Sequence, residues 1–153
     1  MATTYYTSAF YDAAVAFPTS GIHLVRVKHT LTAALDESAD DILKVCKLPK
    51  GAAIVQELCS VFATTDPGTS CVMALKLTDG TTTKDIIADT LFDSDEVRIT
   101  PDAADYAALG FFKTSNDDFY VYLKPNTADV DTATVIYTTV AYTMDTGRYE
   151  VTT

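Results

Sequence analysis

Residues 41–62 read "DILKVCKLPKGAAIVQELCSVF". Two apolar runs flank "KLPKGA", residues 47–52, and how the chain passes this point determines the architecture. Pro49 has no N–H to give to a strand ladder, and Gly51 weakens one, so a single continuous strand is forbidden. Leu48, Pro49, Lys50 and Gly51 suit a type I turn, with Pro second and Gly fourth. The flanking runs then either pair as a hairpin or cross between two stacked sheets.

The same punctuation recurs along the chain. Turn formers stand at Pro18 and Gly21, Pro67 and Gly68, Asp79 and Gly80, Pro101, Gly110, Asn116, Pro125 and Asn126, and Gly147. Short runs rich in Val, Ile, Thr, Tyr and Phe lie between them, which is the pattern of an all-β protein. Strands are expected over residues 22–35, 42–48, 53–63, 70–77, 109–114, 118–124 and 133–144. In "SCVMALKLT", Cys71, Met73, Leu75 and Leu77 share one face. In "DFYVYLK", Phe119, Val121 and Leu123 share a face opposite Tyr120, Tyr122 and Lys124. A period of two means that one face packs a core while the other meets solvent or a partner. The expected fold is an all-β, two-sheet antiparallel sandwich of jelly-roll type, with Cys71, Met73, Leu75, Phe119, Val121 and Leu123 in its core. One helix is expected in "PDAADYAAL", residues 101–109, with Thr100 as N-cap and Pro101 at the first helical position. "TKDIIADTLF", residues 83–92, stays open between helix and strand.

The chain of 153 residues, 48% hydrophobic, is long enough to bury a substantial core without metal or disulfide staples. Cys46, Cys59 and Cys71 are odd in number and each lies in an apolar run. They read as buried free thiols, which suits folding in a reducing cytoplasm. The net charge of −10 disfavours nucleic acid and anionic membranes as partners. Of the 21 acids, 17 are Asp, a residue of turns and loops. No signal peptide and no apolar stretch of membrane-spanning length stands out. Residues 1–21 form an aromatic arm and 22–153 a single sandwich domain.

Reaction chemistry is sparse. His23 and His29, the only histidines, would stand roughly 20 Å apart on one strand face, too far to share a metal. Ser70 and Cys71 lack a nucleophile elbow and an identifiable base. No phosphate-binding loop exists among six scattered glycines. Three Asp groups, around Asp93, Asp117 and Asp129, carry oxygen ligands suited to Ca²⁺ but lack the EF-hand pattern, and read as solvated loop acids. The expectation is no enzyme, no cofactor and no metal. Tyr5, Tyr6, Phe10, Tyr11 and Phe17 crowd the first seventeen residues. They either cap this chain's own core as an edge strand or short helix, or dock on another subunit. With Tyr120 and Tyr122, which should stand exposed, they are the candidate protein-interface residues.

Three stretches carry a family resemblance: "LVRVKHTLTAAL", "DDILKVCKLPKGAAIVQ" and the closing "VAYTMD". The resemblance takes in most of the chain from Ile22 to Asp145, leaving out the aromatic N-terminus and residues 93–108. This pattern resembles the capsid decoration, or cement, proteins of tailed bacteriophages. The resemblance implies a β-sandwich subunit, often a trimer, on the outside of an icosahedral shell. Its partner would be the major capsid protein, and its place the virion exterior after synthesis in the host cytoplasm. Another virion part, such as a tail, head-fibre or receptor-binding module, is the alternative. A sandwich-fold enzyme or lectin is disfavoured by the missing His cluster and the missing Trp.

Overall fold

The structure is a computed structural model and describes residues 2–7 and 21–144. The strands are β1 (Thr4–Tyr6), β2 (Ile22–Thr30), β3 (Ile42–Lys47), β4 (Ala52–Ile54), β5 (Ser60–Ala63), β6 (Val72–Thr78), β7 (Thr83–Leu91), β8 (Arg98–Ile99), β9 (Tyr120–Asn126) and β10 (Val135–Met144). A 3-10 turn covers Gln56–Leu58 and one helix, α1, covers Ala103–Leu109. The strands form two five-stranded sheets. The first runs β1-β3-β9-β6-β7, and the second β2-β10-β5-β8 with β4 also paired to β10. All pairings are antiparallel except β1 with β3. The all-β two-sheet sandwich read from alternation is the observed fold.

The Pro-Gly stretch is a crossing, not a hairpin: β3 belongs to the first sheet and β4 to the second. Its turn lies one residue later than expected. Ala52 N–H donates to the Pro49 carbonyl at 3.2 Å, and Gly51, now third in the turn, has φ +86°. A positive φ at the third position is the type II requirement, which Gly meets without steric cost. A distant loop fixes the corner. Thr114 Oγ1 accepts from Ala52 N–H at 2.9 Å and donates to the Pro49 carbonyl at 2.6 Å, while Gly51 N–H reaches the Thr114 carbonyl at 3.0 Å.

The core fills the space between the sheets. Cys71, Met73, Leu75, Phe119, Val121 and Leu123 are all buried, as their alternation predicts. Val27, Val61, Ile99, Ile136 and Val140 join them from the second sheet. Gln56 is one of several buried polar residues, and its side-chain amide donates to the Ile86 carbonyl of β7 at 2.7 Å, tying the sheets together.

Several expected elements are corrected. The strand of residues 53–63 is broken into β4 and β5 by the 3-10 turn, although both halves pair with β10. The helix starts at Ala103, not Pro101, because Asp102 is the N-cap. Its carboxylate accepts from Ala104 N–H and Asp105 N–H, and Asp105 answers by accepting from Asp102 N–H, a reciprocal capping box. No strand forms over residues 109–114. Leu109 closes α1, Gly110 caps it, and only Lys113 makes an isolated bridge, to Ala53. The open segment "TKDIIADTLF" is strand β7, held as a hairpin partner of β6 across the Asp79–Gly80 turn.

Candidate interaction surfaces

Each sheet turns one face to the core, so the outward faces and the loops are what a partner meets. On the first sheet, strand register aligns one residue from every strand: Tyr6, Lys44, Tyr122, Lys76 and Asp85. Lys44 Nζ lies 4.2 Å from the Tyr120 ring centroid and 5.4 Å from that of Tyr6, both within cation–π reach. Tyr120 and Tyr122 are 5.8 Å apart between ring centroids. Lys76 binds Asp85 at 2.8 Å, and Lys124 binds Asp40 at 2.8 Å. Burial works against the Lys76 charge, but the hydrogen bond and charge of Asp85 outweigh it and raise its pKa. Burial also raises the phenol pKa of Tyr120 and of Tyr122.

The fold therefore gathers Tyr6, Tyr120 and Tyr122 on one face. Tyr5 alternates to the other side of β1 and packs against the core, its hydroxyl donating to the Ala34 carbonyl at 3.4 Å. Phe10, Tyr11 and Phe17 lie outside the described residues. One expectation is corrected: Tyr122 is only 9% exposed. It sits on the central strand β9, in register between Lys44 of β3 and Lys76 of β6 and beside the Tyr120 ring. Tyr120 is half-buried beneath Lys44.

The outward face of the second sheet carries a row that sequence reading missed. Lys28 of β2, Tyr137 of β10, Phe62 of β5 and Arg98 of β8 stand in register. Lys28 Nζ is 5.8 Å from the Tyr137 centroid, Tyr137 is 6.2 Å from Phe62, and the Arg98 guanidinium is 5.0 Å from the Phe62 centroid. Arg26, Thr139 and Ser60 form the next row, and the two rows border a shallow groove of about 280 Å³. Arg26 and Lys28, two residues apart on β2, share its outward face. Nothing local in the chain announced that Phe62 and Arg98 would line up beside them.

The groups able to attack or ligate are held apart or held inert. Burial raises the thiol pKa of Cys46 to about 12, of Cys59 to about 11 and of Cys71 to about 12, so the nucleophilic thiolate is scarce at neutral pH. His23 stacks on Tyr142 at 5.2 Å, and His29 lies six residues along the same strand. Among the described residues no three His, Cys, Asp or Glu side chains cluster as a metal site. No helix among them is long and apolar enough to cross a membrane.

A phage capsid chain shares this fold. A chain of the capsid of Ralstonia phage GP4 aligns with a TM-score of 0.60 at 17% identity, the match covering 94% of this chain and 99% of that one. The likeness thus takes in the whole sandwich rather than a shared fragment. No protein-family model matches the chain, and no curated protein matches it in sequence.

Proposed function

We propose that this chain is a structural component of a bacteriophage virion that binds the outside of the capsid and stabilises the shell, as decoration or cement proteins do. The observation that carries the reading is the fold shared along nearly the full length of both chains with part of a phage capsid. The decoration-protein resemblance of "LVRVKHTLTAAL", "DDILKVCKLPKGAAIVQ" and "VAYTMD" points the same way. So does the strand order. If β4 and β5 count as one interrupted strand, the sheets β2-β10-β5-β8 and β3-β9-β6-β7 interleave as the eight strands of a jelly roll do, with β1 added at an edge.

In this reading the partner is the major capsid protein and the chain performs no chemistry. The working unit is a homo-oligomer, most simply a trimer at a symmetry axis. Residues 1–21 act as the arm, rooted on this chain's own first sheet through β1, and 22–153 as the domain. Tyr6, Phe10, Tyr11, Phe17 and Tyr120 contribute contact area, while Tyr5 and Tyr122, packed into this chain's own sandwich, support them from beneath, and several arms on one oligomer gain by avidity.

The test mixes the purified chain with undecorated shells of its own phage and measures cosedimentation and shell survival on heating. Binding with a raised rupture temperature is expected. A variant lacking residues 2–17, verified as folded by circular dichroism, is expected to bind less and protect less. Shells that neither bind nor gain heat resistance would overturn the reading. Binding to tails in place of shells would move the chain to another virion part.

A further inference from the structure

The strands of the second sheet hold no acid, in a chain that carries 21. Ile22–Thr30, Ala52–Ile54, Ser60–Ala63, Arg98–Ile99 and Val135–Met144 contain neither Asp nor Glu. Their outward side chains include Arg26, Lys28 and Arg98. On the first sheet, Lys76 and Lys124 are matched by Asp85 and Asp40. Arg26, Lys28 and Arg98 make no salt bridge among the described residues; Arg98 only reaches the Ser60 hydroxyl at 3.5 Å. Three cations around two aromatic rings therefore form an electropositive island on a body of net charge −10.

We propose that this face docks a second copy of the chain by receiving the acid-bearing loops of its neighbour. Charge complementarity selects the occupant. Two bodies of charge −10 repel in general, and an approach that sets this face against the other's acids is the one that local charge favours. Those acids are exposed on loops: Asp95 and Glu96, Asp117 and Asp118, Asp129 and Asp131. Guanidinium groups suit the task, because their planar fork takes a carboxylate through two hydrogen bonds.

Area points to the loops as well. The strands of this sheet, β2 and β10 long and β4, β5 and β8 short, are spaced about 4.8 Å apart and offer a face of roughly 400–450 Å². A standard interface buries about 800 Å² per partner, so the surrounding loops must take part. Face and loops are different surfaces, so the contact is head-to-tail, and such contacts build a ring when the rotation closes. Ile22 and Leu24, 53% and 56% exposed, extend the same face with apolar area.

This inference does not depend on the capsid reading, because it is measured without a shell. Size-exclusion chromatography with light scattering is run on the full chain at low and at high salt. An oligomer at low salt that loosens at about 0.5 M salt is expected, since exposed charge pairs are screened there. R26E/R98E should be monomeric, while K50E/K84E, with the same change in net charge on exposed lysines elsewhere, should still assemble. If R26E/R98E fails to fold by circular dichroism, R26Q/R98Q takes its place with the same expectation. A wild-type monomer at every salt concentration overturns the proposal. So does an oligomer that survives the face variants, or one that both pairs of substitutions disperse. Absorbance showing nucleic acid bound to the wild-type chain but lost in R26E/R98E would assign the face to nucleic acid and overturn it as well.

Discussion

His29 lies on the core-facing side of β2, half-buried, between Val27 and the loop to β3. Burial penalises its charged form and lowers its pKa below 6.5. The folded chain thus holds this proton less tightly than the unfolded chain. As pH falls through about 6.5 toward the folded value, the unfolded state takes up the proton first and stability declines. The increment is complete above the unfolded pKa and gone below the folded one. His29→Gln removes that slope, so its thermal midpoint should drop less than the wild type's between pH 7.5 and 5.5. Equal drops in the two proteins would show that His29 does not carry the effect. Both histidines were legible as strand residues sharing one face. That His23 would stack on Tyr142, with its Nε2 buried and unpartnered among the described residues, was not, because β10 lies more than a hundred positions away.

At the scale of elements, the crossing between β3 and β4 shows what local sequence can and cannot say. Pro49 and Gly51 announced an interruption, and Gly51 meets it with a positive φ. They could not say whether the strands pair or part, because the partners of β3 and β4 and the Thr114 that holds the corner all lie elsewhere in the chain. Thr114 is buried, and its hydroxyl bridges Ala52 N–H and the Pro49 carbonyl. Thr114→Val keeps the shape and removes the bridge, leaving buried polar groups poorly matched. The expected loss is about 1–3 kcal/mol, the usual cost of an unsatisfied buried partner. Thr114→Ser, which keeps the hydroxyl, should recover most of it. Urea midpoints of the three proteins decide the matter, and a Thr114→Val midpoint equal to the wild type's would remove the bridge from the account. The same lesson explains the failed strand at residues 109–114. Phe111 and Phe112 are β-prone, but Gly110 ends a helix there and the loop holds the corner.

Across the whole molecule, alternation revealed the core, since a strand's inward residues are fixed by its own period. Pairing was hidden, because among the described strands only β6 and β7 meet as sequence neighbours through a tight hairpin, while β10 pairs with β2, β4 and β5. β10 is therefore the spine of the second sheet. It supplies Ile136, Val140, Ala141 and Tyr142 to the core and closes the ladder of every strand beside it except β8. A chain ending at residue 134 loses those side chains and leaves β2, β4 and β5 without their shared partner. The hydrophobic loss alone is several kcal/mol, at about 1.5–3 kcal/mol for each large apolar side chain buried, against a typical stability of about 5–15 kcal/mol. That truncation should be unfolded by circular dichroism and proton NMR, whereas one ending at residue 144 should keep the sandwich. The dependence on remote pairing also places refolding of the full chain in the slow class of all-β domains, about milliseconds to seconds. A cooperative unfolding transition in the chain cut at 134 would show that the first sheet folds by itself and that β10 is not its spine.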